Sequence, residues 1–405
     1  MTAIISPVSI LGSQSPRLKS LPPLSLYIHI PWCLKKCPYC DFNSHEIRGE
    51  GSQAPEEEYV AALIRDLESA LPDVWGRRLS SVFFGGGTPS LFSARSIDTI
   101  LTAVRTLLPL EHFAEVTLEA NPGTFEAQKF ADFRKAGVNR LSIGVQSFNP
   151  QHLRALGRVH DDREACRAVD IAQQNFDNIN LDLMYALPGQ ILTEAKTDIE
   201  IACTLGVTHI SAYHLTLEPN TLFHRFPPNL PDDEQAAAMQ EMIEQTTASH
   251  HYRNYETSAF AQAGKASRHN MNYWLFGDYL GIGAGAHSKI SFADKIVRQM
   301  RYKQPKEYLA KVQAGESLIQ TQHELAAADR GFEFMMNALR LNGGFDTPLF
   351  YERTGLSISA MQQQLDEAEQ RGLLVHDHLR IKPTVLGRRF LNDLLQIFLP
   401  GKNSA

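Results

Sequence analysis

Apolar and polar positions alternate through SLYIHI, Ser25 to Ile30, which predicts a strand that stops at Pro31. From about Glu56 to Leu71 the spacing changes, and Tyr59, Leu63 and Leu67 fall on one face of a helix. The two patterns then take turns. SVFFGG, VTLEANPG, RLSIGVQS, INLDLMYALPG and HISAYHLTLEP read as strands, with helical stretches such as ARSIDTILTAVRTLL, AQKFADFRKAG and Glu164 to Gln174 between them. Six strands alternating with helices predict parallel βαβ units. Six repeats, where a complete barrel has eight, predict an α/β fold closed only in part: a (βα)6 TIM-like barrel with an open side. Each strand ends in a polar or glycine-rich cluster, at Cys33, Gly85 to Thr88, Glu119, Gln146, Asp182, and Thr216 with Glu218. In parallel barrels the chemistry gathers at those ends.

The barrel is expected over residues 23–230, after a flexible tail over 1–22 that is rich in Ser, Pro and Leu without periodicity. PPNLPDD reads as a linker. An extension over 231–303 carries a helix from Glu234 to His250, then YETSAFA, the cluster HNMNYW and a glycine-rich strand, GDYLGIGAGAHS. Residues 304–405 run helix, helix, hairpin, helix, as in a winged-helix-like α+β domain. Its recognition-like helix carries Asp366, Glu367 and Glu369 against Arg371 alone. Phosphate binding needs a basic face, so protein contact or barrel closure is the better reading.

Composition narrows the class. The chain has 405 residues, 43% hydrophobic and 21% charged, which excludes a collagen-like or wholly disordered protein. A net charge of −6 gives no global attraction to nucleic acid or anionic lipid. No apolar run reaches the ~18 residues of a membrane span, and the N-terminus lacks a signal-peptide pattern. A cytoplasmic protein without a transmembrane segment is expected, with any membrane contact peripheral.

The cysteines carry the strongest chemical signal. They are Cys33, Cys37, Cys40, Cys166 and Cys203, an odd number with three packed into eight residues, which makes a poor disulfide framework. Cys33-x3-Cys37-x2-Cys40 follows directly on the first strand. Soft thiolates on one short loop suit an iron–sulfur cube, and three of them leave one iron open to an external ligand. Tetrahedral zinc is the alternative and would need a fourth ligand, such as His45 or Asp41. Cys166 and Cys203 fall in helical segments. The Gly85-Gly86-Gly87-Thr88-Pro89 turn offers bare backbone to a ligand. No phosphate loop occurs, and Gly281-x-Gly283-x-Gly285 lacks the dinucleotide spacing. Glu119, Gln146, Arg158 and Asp182 stand at or just beyond successive strand ends. There, carboxylates suit ribose hydroxyls and an arginine fork suits a carboxylate.

LYIHIPWCLKKCPYCDF resembles the signature of radical S-adenosylmethionine (SAM) enzymes. GGGTPSL, EANPGT, NRLSIGVQSF, NLDLMYALPGQ, YETSAFA, HNMNYW and GIGAGAHS extend the resemblance over nearly the whole chain. They are similar to the HemW-type haem chaperones, relatives of the oxygen-independent coproporphyrinogen III oxidases. The resemblance implies that Cys33, Cys37 and Cys40 bind a 4Fe–4S cluster whose open iron chelates SAM. Reduction would then cleave the sulfonium to a 5′-deoxyadenosyl radical. It also implies that Tyr27, Tyr39, Gly86, Gly87, Thr88, Glu119, Gln146, Arg158 and Asp182 surround SAM. Haem is the implied cargo, with respiratory haem proteins as recipients and an electron donor as a further partner. HNMNYW matches an HNxxYW motif of the chaperones, so His269, Tyr273 and Trp274 are haem candidates, with His287 nearby. The oxidases carry a further cysteine two residues past the last cluster ligand, where this chain has Phe42. A phenyl ring cannot replace a thiol in radical chemistry, which speaks against a coproporphyrinogen decarboxylase. A tRNA-modifying radical SAM enzyme is a third reading, opposed by the negative charge and the lack of a basic RNA-binding domain.

Overall fold

The computed structural model describes residues 17–48, 53–123 and 127–400. Among these described residues fourteen strands precede the C-terminal domain. They are β1 (Leu24–Ile30), the short β2 (Trp32–Cys33) and β3 (His45–Glu46), then β4 (Leu79–Gly86), β5 (Leu110–Ala120), β6 (Arg140–Gln146), β7 (Ile179–Tyr185) and β8 (His209–His214). After these come β9 (Arg253–Glu256), β10 (Ala259–Ala261), β11 (Asp278–Ile282), β12 (His287–Ser291), β13 (Ile296–Arg301) and β14 (Ile319–Glu324). All but β2 and β3 join one 12-stranded sheet in the order β14-β13-β12-β11-β1-β4-β5-β6-β7-β8-β10-β9. The six expected strands are β1, β4, β5, β6, β7 and β8, each parallel to the next.

Two features go beyond the six-repeat expectation. β11 adds to the other side of β1 as a further parallel strand, so β1 is not an edge. GDYLGIGAGAHS is not one strand: it breaks into β11 and the antiparallel β12. The break falls at Gly283 and Gly285, whose φ of 99° and 80° a side chain would resist. YETSAFA forms the hairpin β9–β10, which covers the free edge of β8.

The barrel strands alternate strictly. Leu26 and Ile28, Val82 and Phe84, Val116 and Leu118, Leu141 and Ile143, Leu181 and Leu183, and Ile210 join the main apolar core. Of the positions between them, Ser25, Ser81, Glu115, Arg140, Ser142, Asn180, His209 and Ser211 are also buried and Asp182 is half-buried; Ser81 bonds Ser25, Ser142 bonds Asp182 and Asn180, and Asn180 bonds His209 and Ser211. The barrel interior is therefore polar. Its floor is closed by the helix Arg268–Trp274, whose first backbone N–H groups, those of Arg268 and His269, donate to the Glu115 carboxylate at 3.2 and 3.1 Å. A carboxylate at a helix N-terminus is favourable for the dipole as well as for the unpaired donors.

Domain limits differ from the sequence expectation at both ends. Residues 1–16 of the expected tail lie outside the described residues, but Leu18 is buried and its N–H donates to the Ala293 carbonyl at 2.8 Å. Residues 305–324, expected in the C-terminal unit, pack with the barrel. Asp66 on the helix Glu56–Val74 pairs with Arg301, accepts from Tyr308 Oη at 2.9 Å and takes the Gly283 N–H at 3.0 Å. This buried knot fastens the helix Pro305–Ala314 to the barrel wall. A second core, from Leu325 onward, belongs to the C-terminal domain and reaches back to Phe276 and Ile296. That domain has helices 327–338, 347–354 and 362–370, and a small sheet of β15 (Phe345–Asp346), β16 (Leu374–His376) and β17 (Arg380–Pro383). Helices 385–389 and 391–397 follow. The expected hairpin is β16–β17, with one more helix and one more strand before it than the pattern predicted. Among the described residues no helix is long and apolar enough to cross a membrane.

At the start of β11 the buried Asp278 carboxylate lies 2.8 Å from both Lys289 Nζ and Arg77. Burial alone would push Asp278 up, but the Lys289 and then the Arg77 charge outweigh it and hold the carboxyl below its ordinary value. Removing one partner of a buried pair strands the other. Asp278→Ala is expected to cost ~3–5 kcal/mol, read as a lower urea midpoint of unfolding.

Candidate functional site

Past Ile30 the chain leaves the sheet and loops over the barrel mouth. The loop is closed by a short parallel ladder that sets Trp32 opposite His45 and Cys33 opposite Glu46. His45 N–H donates to the Pro31 carbonyl at 2.7 Å, and Phe223 N–H to the Pro38 carbonyl at 3.0 Å. Inside the loop, Lys36 Nζ reaches the carbonyls of Phe42 and Ser44 at 3.2 and 3.1 Å. Cys33, Cys37 and Cys40 are free, half-buried thiols that line one cavity of ≈360 Å³. Each meets a donor or hydroxyl: Thr88 Oγ1 at 3.6 Å from Cys33 Sγ, an Arg158 nitrogen at 3.6 Å from Cys37 Sγ, and Ser44 Oγ at 3.7 Å from Cys40 Sγ. Burial pushes the Cys33 thiol up to about 11 and raises Cys40, so a bound metal must displace their protons. Among the described residues no group of three His, Cys, Asp or Glu side chains is gathered to hold a metal ion, and the three thiols share one cavity.

The glycine turn locks onto the base of this loop. Gly87 N–H donates to the Ile30 carbonyl and Thr88 N–H to the Trp32 carbonyl, both at 2.8 Å. A Cβ on Gly87 would stand 2.5 Å from the Trp32 oxygen, and Gly86 has φ 118° against the His29 ring. Only glycine lets β4 come this close to the loop.

The other strand ends converge on the same cavity. Gly86, Gly87, Thr88, Glu119, Gln146, Arg158, Asp182 and Tyr39 all line it. Glu119 accepts the Gly86 N–H at 3.2 Å. Asp182 is held by Ser142 Oγ and Asn180 Nδ2 at 2.8 and 2.9 Å. Arg158 donates to Asn121 Oδ1 and the Gly144 carbonyl at 2.7 and 2.6 Å, and its buried Nε has no hydrogen-bond partner among the described residues. Burial, then the Asp182 charge, pushes Glu119 up to about 8, and burial also raises Asp182. Two acids facing one small space, a cationic fork with a free donor and bare backbone can bind a ligand with hydroxyl, carboxylate and cationic groups.

Tyr27 stands apart from this set. It lines a second groove of ≈540 Å³ with His29, Tyr273, Tyr279, His287 and Lys303, and Asp41, Phe42, Gly86 and Glu119 border both spaces. The haem candidates therefore separate. Tyr273 and His287 meet in the groove. His269 points instead into the barrel floor, buried, with Nδ1 2.8 Å from Ser81 Oγ and its ring stacked 4.8 Å from Phe83. Trp274 lies under the Arg340 guanidinium at 4.5 Å, outside both cavities.

Several lining residues had no signal that singled them out. Asn121 bridges Arg158 and Thr88 Oγ1, the latter at 3.1 Å, and so links two of the thiol contacts. Its place directly after the EA of EANPG was the available clue. Ser142, Met184 and Tyr213 also face the cavity, and the strand alternation alone would have placed them there.

Similarity to known proteins agrees with this layout. The radical SAM superfamily profile matches residues 27–201, and the HemN C-terminal domain profile matches 325–390. The haem chaperone HemW of Escherichia coli is 46% identical over 94% of this chain and 99% of its own length. The haem chaperone HemW of Bacillus subtilis is 33% identical over 93% and 99%. Among solved structures, the radical SAM enzyme coproporphyrinogen III oxidase (HemN) of Escherichia coli superposes with a TM-score of 0.79. It is 23% identical and covers 95% of this chain and 91% of that one, so the two share the fold.

The Glu119 proton is directly measurable. Carboxyl-carbon NMR or infrared titration is expected to place it near 8, and Asp182→Asn, which removes the neighbouring charge, should move it down.

Proposed function

The chain belongs to the HemW haem chaperone family of the radical SAM superfamily, and from that premise we propose that it carries haem beside a SAM-binding 4Fe–4S cluster. The observation that carries the reading is the pair of joined spaces: a thiol-lined cavity and an aromatic groove that share Asp41, Phe42, Gly86 and Glu119. Cys33, Cys37 and Cys40 would hold the cluster. Gly86, Glu119, Gln146, Arg158 and Asp182 would hold SAM, with the free Nε of Arg158 as the donor for its carboxylate. Once bound, the pair supplies one-electron reduction of a sulfonium. The protein's own part is to bind, orient and shield. The loop, pinned by Gly87 and Thr88, fixes the thiols, and Glu119 and Asp182, which line the same cavity, would meet a cationic ligand as anions once deprotonated. Delivery to respiratory haem proteins is the use we infer for the cargo.

The alternative is coproporphyrinogen decarboxylation, since the fold is shared with that oxidase. Phe42 argues against it: 61% exposed at the seam of the two spaces, it presents an apolar ring and no thiol.

Two outcomes test this. Below its shifted pKa Glu119 is a neutral acid, and above it an anion that attracts SAM. SAM affinity should therefore rise between about pH 6 and pH 9, and Glu119→Gln should flatten the rise. A slope retained in Glu119→Gln would take Glu119 out of the SAM site. Second, anaerobically reconstituted protein should bind haem saturably near one equivalent and leave coproporphyrinogen III unchanged with SAM and reductant. Formation of protoporphyrinogen with no saturable haem binding would favour the oxidase.

A further inference from the structure

The aromatic groove between the thiol loop and the β11–β12 turn is built from long-range pieces. Asn43 of the loop donates through Nδ2 to the carbonyls of Ala284 and Lys303, both at 2.9 Å, which ties the loop to the turn across the groove's end. Tyr59 Oη, from the helix Glu56–Val74, accepts the Ala284 N–H at 2.8 Å and donates to the His29 carbonyl at 2.9 Å. Tyr273 and Tyr279, with ring centroids 4.4 Å apart, form a wall together with Tyr27. The space, ≈540 Å³, lies within the ~300–1,000 Å³ of small-molecule and cofactor pockets.

Two imidazoles face it, and they differ. His29 is committed: Nε2 meets the Asn43 carbonyl at 2.9 Å and Nδ1 meets Tyr27 Oη at 3.1 Å. His287, the first residue of β12, is exposed, and neither ring nitrogen has a hydrogen-bond partner among the described residues. Its partial burial, then the Lys303 and Arg298 charges, lowers its pKa, so a neutral ring with a free lone pair faces the groove. Asp41 and Glu119 border both spaces, whereas Lys303 lines the groove alone.

We propose that this groove is the haem cleft, with His287 as the axial ligand to the iron and Lys303 paired with a propionate. The inference rests on the haem-carrier reading and names its site. The tyrosine wall and the exposed Phe42 ring supply apolar faces for the porphyrin, and neutral imidazole is an ordinary haem ligand. Lys303 is a cation in the groove lining, and a propionate would pair with it. HNxxYW then serves the cargo through Tyr273, while His269 and Asn272 brace the barrel floor and β1.

The test is titration of ferric haem into the full-length reconstituted protein, read by Soret absorbance and by electron paramagnetic resonance of the haem iron. The wild-type protein should give a histidine-ligated spectrum. His287→Ala should lose that spectrum and weaken binding by about tenfold or more, with iron content and SAM affinity unchanged. His287→Gly with added imidazole should regain it, a rescue that a purely structural role for His287 would not allow. Lys303→Glu should weaken binding by about tenfold without altering the ligand spectrum. His323→Ala, a change at an exposed histidine on β14, should behave as wild type. Saturable, histidine-type binding that persists in His287→Ala would overturn this cleft and leave the haem-carrier reading standing. Absence of saturable binding in the wild-type protein would overturn the haem-carrier reading as well.

Discussion

The polar interior of the barrel is the constraint on which the rest of the molecule depends. Each strand gives its apolar residues to the layer beneath the helices and its polar ones to the interior, so the buried column must satisfy itself. Ser81 meets Ser25 and His269, Asn180 meets Ser142, His209 and Ser211, and Glu115 takes the backbone N–H groups of the floor helix. A slip of one residue in any strand would exchange the two faces and leave charges in the helix layer. The register that builds the core is therefore also the register that presents Glu119 and Asp182 at the mouth.

That column explains the electrostatics of the site. Glu119 and Asp182 line the cavity at the mouth and are half-buried, and the Arg140 charge partly offsets their desolvation. Desolvation is the largest effect on both acids, and their mutual repulsion adds to it for Glu119. A cationic ligand beside such acids would favour their ionised form and lower their pKa.

The thiol loop is a joint between the two spaces. It is held from below by the glycine turn, from the side by the helix Leu222–Arg225 through Phe223, and from across the groove by Asn43. None of these contacts uses the thiols. A loop fixed independently of its ligands can keep three sulfur atoms in place and still leave the cavity open to a second molecule.

Much of this was legible in the sequence because it is local. Cysteine spacing, strands ending in polar residues and the triple glycine are short-range patterns, and the residues they marked at the first cavity do line it. Even Phe42 could be read for what it lacks. The rest was decided by contacts between residues far apart in the chain. β11 joins β1 across some 250 positions, which periodicity cannot express. Residues 305–324 belong to the barrel through the Asp66–Arg301–Tyr308 knot, although their local texture gave no hint of it. His269 and His287 looked alike in sequence, and only packing separates them: one ring is sealed against Ser81 and Phe83, the other is left open beside Lys303. Burial and hydrogen-bond partners determine what an imidazole or a carboxyl can do, and both are properties of the folded neighbourhood.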